Sequence, residues 1–94
     1  MRKITFFHGA DCPHCKRMHP IVKEIEKELG IKFNLLEVWY NEDNADIMRK
    51  YEDIIRKGSP DGDMGVPAFV DIKNKEALVG EQTKEELKKW LMEK

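Results

Sequence analysis

The sequence predicts an α/β fold, a mixed four-stranded sheet with helices on both faces, in the order βαβαββα. Two observations carry this. Short runs rich in β-branched and aromatic residues alternate with stretches whose apolar residues recur every three to four positions. The alternation breaks once, at Lys73-Asn74-Lys75, a turn joining two strand-like runs into a hairpin. A leading strand–helix–strand unit closes with parallel strands and a right-handed crossover, and the hairpin adds two antiparallel strands. Helices then cover both faces.

The first strand is predicted over Lys3 to Phe7. The first helix runs from Pro13 to Leu29, with Met18, Ile21, Val22, Ile25 and Leu29 at helical spacing and Gly30 as its stop. Pro13 suits a first turn, whereas Pro20 falls in the interior and predicts a kink. The second strand is predicted over Lys32 to Trp39. A second helix, Asp43 to Lys57, is capped by Asn41 or Asp43 and buries Ile47, Met48, Tyr51, Ile54 and Ile55. Ala68 to Ile72 and Glu76 to Val79 form the hairpin. Thr83 with Glu86 makes a capping box for the last helix, whose inner face is Leu87, Trp90 and Leu91. Trp39, Tyr51 and Trp90 are assigned to the core.

The chain of 94 residues is read as a single domain, 1–94, with no repeat and no linker long enough to divide it. Apolar residues make up 40%, enough for one modest core. Charged residues make up 37% with a net charge of −1, which excludes nucleic acid as the main partner, since no basic excess exists to neutralise phosphates. No run approaches the ~18 apolar residues of a membrane span. Met1-Arg2-Lys3 leads straight into a four-residue apolar run, so no secretory signal is read and the expected setting is cytoplasmic. No large apolar stripe is left over, and a monomer is expected.

The chemistry concentrates at Cys12-Pro13-His14-Cys15, which holds both cysteines of the chain. Cys12 falls at the N-terminus of the first helix, where unpaired N–H groups and the positive end of the helix dipole favour a thiolate. Such placement lowers a thiol pKa by roughly one to five pH units. A thiolate with a second thiol one turn away can attack a disulfide and then resolve the mixed disulfide it forms. In a cytoplasmic setting such a pair is redox-active or metal-binding rather than a structural staple.

Cys12-Pro13-His14-Cys15-Lys16 followed by Pro20 resembles the Cys-x-x-Cys-Lys-x-x-x-Pro helix of the thioredoxin family. Asn44 and Tyr51 have the spacing of that family's second helix, and Val66-Pro67 before the third strand resembles its cis-proline loop. The resemblance covers nearly the whole chain and implies a thioredoxin-like fold and a thiol–disulfide oxidoreductase. It further implies Cys12 as an exposed nucleophile, Cys15 as the resolving thiol, and a cis Val66–Pro67 bond beside which the Val66 backbone pairs with an extended substrate. Pro13 and His14 tune the couple, a charged imidazole near Cys12 favouring the thiolate. Partners are then disulfide-containing proteins and a reductant or reductase. No cofactor is implied beyond the Cys12–Cys15 pair.

Four departures stand out. The family's buried acid, six residues before its first cysteine, is Phe6 here, leaving water or a nearby histidine to take the Cys15 proton. The aromatic before the first cysteine is Asp11, whose charge opposes a thiolate. The compact core is closer to glutaredoxin, yet Gly65-Val66-Pro67 and the single Gly80 depart from its glutathione signals and argue against glutathione use. About ten extra residues lie between Tyr51 and Pro67, and Gly58 to Gly65 is read as a flap beside the cysteines or as a solvated loop. The alternative function is a non-enzymatic module that uses Cys12 and Cys15 to sense redox state or to bind metal with His19 and His8 or Asp11. No second cysteine pair exists for a structural zinc site, so no metal is assigned, and both histidines are placed at the surface or an edge.

Overall fold

The computed structural model describes residues 3–93. Its elements run β1 (Thr5–His8), α1 (Pro13–Leu29), β2 (Asn34–Glu37), α2 (Glu42–Lys50), α3 (Glu52–Lys57), β3 (Ala68–Asp71), β4 (Glu76–Val79) and α4 (Lys84–Leu91). The strands lie in the order β2-β1-β3-β4. The β1–β2 pair is parallel, with Phe7 opposite Leu36, and the β1–β3 and β3–β4 pairs are antiparallel. This is the predicted mixed sheet.

Side-chain alternation along the two central strands divides the interior into two cores. Phe6 and Phe69 face α1 and α4, where they join Met18, Val22, Ile25, Leu87 and Leu91. Phe7, Ala68 and Val70 face the other way, toward Met48 of α2 and Ile55 of α3. Phe6 and Phe69 are register partners whose rings stack with centroids 4.6 Å apart. Fully burying one such ring stabilises the fold by about 1.5–3 kcal/mol. The two central strands are therefore held from both sides, which makes β1 a firm base for the segment that follows it.

Three predicted boundaries are corrected. The second strand ends at Glu37 rather than Trp39, because the Glu37 carboxylate accepts the N–H groups of Trp39 and Tyr40, each at 2.9 Å, and turns the chain out of the sheet. It begins after Phe33, whose N–H donates to the Glu26 carboxylate at 2.8 Å. The helix predicted over Asp43 to Lys57 is two helices. The N–H of Tyr51 bonds the Met48 carbonyl, three residues back, and this tightened turn interrupts the helical hydrogen-bond register. Asn41 is the cap of α2, its side chain accepting from the N–H of Asn44 at 3.0 Å. The Thr83–Glu86 capping box forms in full, and Pro20 lies inside α1, where it withholds an N–H from the Lys16 carbonyl.

Candidate active site

β1 delivers the chain to the start of α1 through the short segment Gly9 to Asp11. Cys12 is the N-cap, with φ −76° and ψ 115°, and Pro13 opens the helix. A sulfur at this position does what a cap side chain does: Cys12 Sγ accepts the N–H of Cys15 at 3.4 Å. Cys12 is further held by its N–H to the Gly9 carbonyl, 3.1 Å, and by its own carbonyl to the Lys16 N–H, 3.0 Å. Across from it, the carbonyl of Val66 lies 4.0 Å from Cys12 Sγ, and the Val66–Pro67 bond is cis. The structure thus brings Cys12, Pro13, Cys15, Val66 and Pro67 together.

Cys12 was expected to be exposed, but it is only 4% exposed, and Cys15 is fully buried. The Cys12 sulfur is enclosed between the first turn of α1, with the Cys15 N–H at 3.4 Å, and the cis-proline loop, with the Val66 carbonyl at 4.0 Å; the N-caps Asn41 and Thr83, which make the same cap bond, stay exposed. Both cysteines are free thiols. Burial, and next the hydrogen bond with the Cys12 side chain, push the Cys15 thiol up to about 12, with the Gly9 backbone opposing part of that rise.

Two flanks border the cysteines. On one, His14 Nδ1 lies 2.8 Å from Glu81 Oε1, while Arg17 Nε lies 3.0 Å from both oxygens of the same carboxylate. Hydrogen bonds from Arg17 and then His14 hold the Glu81 carboxyl down at about 2. Arg17 Nη2 is also 2.9 Å from His14 Nδ1. That nitrogen donates to Glu81 when protonated and accepts from Arg17 when it is not, so the two contacts alternate. The His14 ring is directed to Glu81, 67 residues away in the chain, a pairing that no local pattern marks.

The other flank is the turn after β2. The Glu37 carboxylate accepts three backbone N–H groups, from Ala10 at 2.8 Å and from Trp39 and Tyr40 at 2.9 Å. Burial raises this carboxyl, and the three backbone donors together with the nearby His8 outweigh it, leaving the group below its ordinary value. Trp39 was assigned to the core but is 50% exposed, and Tyr40 is 71% exposed. The Trp39 indole lies against Gly9 so closely that a Cβ there would sit 2.3 Å from the ring. The Tyr40 hydroxyl donates to the Asp11 carboxylate. Tyr51 and Trp90 are partly buried, against the second and first cores respectively.

His8 and His19 were placed at the surface or an edge. Instead their rings pack edge to face 4.8 Å apart, both against Phe6. Burial, and next His19, lower the pKa of His8, with Glu37 opposing. Burial, and next Lys23, lower that of His19. Among the described residues, no three His, Cys, Asp or Glu side chains gather where one metal ion could be held.

The loop between α3 and β3, read as a flap or a solvated loop, is anchored at its start to β4 and exposed over residues 60–63. Gly58 lies against β4, where a Cβ would meet the Ala77 carbonyl oxygen at 2.2 Å, and its own carbonyl accepts the Val79 N–H at 3.3 Å. Arg56 donates to the Gly62 carbonyl at 3.2 Å, and Ser59 bonds Asp61 at 2.7 Å. Met64 and Val66 pack on the second core, and Val66 brings the loop's end to Cys12.

Among the described residues, no helix is long and apolar enough to cross a membrane. No family model matches the sequence, and no curated protein matches it. Its structure resembles that of a glutaredoxin from Archaeoglobus fulgidus, with a TM-score of 0.62 and 23% identity over 98% of this chain and 88% of that one. The likeness establishes a thioredoxin-like fold, as the order of elements predicted.

Proposed function

We propose that this chain is a thiol–disulfide oxidoreductase that reduces protein disulfides through Cys12 and Cys15. The observation that carries the reading is the Cys12 sulfur capping α1, 3.4 Å from the N–H of a fully buried Cys15. A capping sulfur gains a hydrogen bond and the helix dipole as it becomes negative, whereas a buried thiol in apolar surroundings stays protonated. The two sulfurs are thus suited to different roles.

In this mechanism the Cys12 thiolate attacks one sulfur of a substrate disulfide. The Cys12–substrate bond forms as the substrate S–S bond breaks, and the departing thiolate takes a proton from water. Cys15 then gives its proton to water, balancing the one taken in the first step, as its sulfur attacks Cys12. The Cys12–Cys15 disulfide forms, and the second substrate thiolate leaves. Two electrons have passed from the dithiol to the substrate, and a thiol reductant or reductase returns them. Val66, at the cis-proline loop with Pro67, offers backbone to an extended substrate chain, and Pro13 and His14 shape the first turn around the sulfur. A cytoplasmic setting favours the reducing direction, and no bound cofactor is required.

The test is reduction of insulin by the purified protein with dithiothreitol as the electron source. The expected result is precipitation well ahead of dithiothreitol alone, abolished in Cys12→Ser. In Cys15→Ser the reaction should stall at a mixed disulfide detectable by mass spectrometry. Absence of acceleration, together with failure of the pair to form a reversible intramolecular disulfide, overturns the reading. Zinc retained after reducing purification would favour the metal-binding alternative.

A further inference from the structure

The exposed pair Trp39 and Tyr40 has no part in holding the core, yet the fold fixes it beside the reactive sulfur. Glu37 binds the N–H groups of both residues and that of Ala10 with one carboxylate. Trp39 lies on Gly9, whose carbonyl holds the N–H of Cys12 at 3.1 Å. The Tyr40 hydroxyl is bonded to Asp11, the residue before Cys12. Two large aromatic faces are therefore presented to solvent on a turn braced at three backbone points, continuous with the segment that carries Cys12. Rigid exposed aromatics of this kind contribute contact area at low entropic cost and dominate binding surfaces.

The charge in the two chain segments that meet here has one sign. From Phe33 to Met48 the chain carries Glu37, Glu42, Asp43 and Asp46 and no lysine or arginine, and from Ile4 to Pro13 its one formal charge is Asp11. Arg17, nearer the cysteines, is held by Glu81 on the opposite flank. An aromatic face with Asp11 bonded to it and only acidic charges in the segments that carry it attracts a cation, both through the ring quadrupole and by direct charge.

Building on the proposed function, we infer that Trp39 and Tyr40 form a specificity platform for the polypeptide flanking the substrate disulfide, selecting chains with an arginine or lysine next to the cystine. The guanidinium or ammonium group rests over the aromatic faces beside Asp11, with Glu42 and Asp43 following at the start of α2. The platform touches substrate away from the reacting sulfurs, so its effect falls on KM more than on kcat.

Two peptides test this, each with one intramolecular disulfide, differing only in Arg or Glu beside one half-cystine. Hydroxyethyl disulfide serves as a substrate without a polypeptide. The protein should favour the Arg peptide by about tenfold in kcat/KM, a 1.4 kcal/mol preference, carried by KM. Trp39→Ala with Tyr40→Ala should bring the ratio close to one, while Trp39→Phe, which keeps a ring on Gly9, should retain most of it. A ratio near one in the unaltered protein, or one that survives the double substitution, overturns the inference. If hydroxyethyl disulfide is not reduced either, it is the proposed function that fails. A second measurement reads binding without turnover. In Trp90→Phe with Cys15→Ala, Trp39 is the sole indole, and trapping the Arg peptide on Cys12 should shift its emission. A trapped complex with unchanged emission counts against the platform.

Discussion

Each flank of the cysteine pair is organised by one glutamate, in opposite ways. Glu37 is bonded by three backbone N–H groups from two segments, β1's continuation and the turn after β2. Glu81 is bonded by two exposed side chains, His14 and Arg17, of one helix turn. Both carboxyls are held below their ordinary range, but they hold different things in place. A carboxylate that binds several backbone donors sets the path of the chain, because it fixes where those N–H groups lie relative to one another. An exposed ion pair holds only side chains, which water and salt can release. The first flank is therefore a shaped surface and the second an adjustable one.

The largest effect expected from breaking this contrast is on the first flank. Glu37→Ala removes the acceptor of the Ala10, Trp39 and Tyr40 amides together. Their hydrogen exchange should accelerate by at least about tenfold, the melting temperature should fall by several degrees, and the Trp39 emission should move toward that of a free indole. Unchanged exchange at those three amides would remove the distinction between the flanks.

Acid sharpens the comparison at intermediate size. His8 and His19 both have folded pKa values below the ordinary 6.5, so between their folded values and 6.5 the unfolded chain binds more protons than the folded one. Stability from this source is complete above pH 6.5 and is lost as the pH falls through that window. Protonating both rings would set two like charges 4.8 Å apart by centroid. Melting temperatures measured between pH 7 and 5 should decline, and His8→Gln with His19→Gln should flatten the decline. Glu37 opposes the lowering at His8, so Glu37→Ala should steepen it.

The smallest effect belongs to the exposed flank. Glu81→Gln should change the melting temperature little, since pairs this exposed contribute little to stability. It should nonetheless release Arg17, whose own pKa is raised by Glu81 first and to a lesser degree by Cys12. With that neutralising carboxylate gone, alkylation of Cys12 by iodoacetamide should speed up a few-fold at low salt and lose this gain in high salt. A rate unaffected by either change would show that the flank has no electrostatic hold on the sulfur.

Much of the fold was legible in residue spacing. The strand runs at Phe6 and Phe7 and at Ala68, Phe69 and Val70 are legible as apolar and β-rich, though which of the two cores each side chain enters is seen only in the fold, and the Thr83–Glu86 box is a contact between residues three apart. Of the site, the position of the cysteines at a helix start was legible for the same reason. The burial of Cys12 is not legible because the Val66 carbonyl that lies against its sulfur comes from 54 residues away, and the exposure of Trp39 is not because hydrophobicity marks a residue as apolar without saying which surface it covers. The break at Tyr51 left no trace in the apolar stripe, since Ile47, Met48, Ile54 and Ile55 reach the same core from two helices.

What the sequence determined by itself is therefore what neighbours along the chain decide. It includes the strands and helices, their caps, and the pairing of two thiols one turn apart. The tertiary structure alone decided which distant groups meet those thiols. Glu37 reaches Ala10 across 27 residues, and Glu81 reaches His14 across 67. Such meetings depend on sheet order and on how loops close over the strand ends, and these are set by burial summed over the whole domain, with no local pattern to announce them.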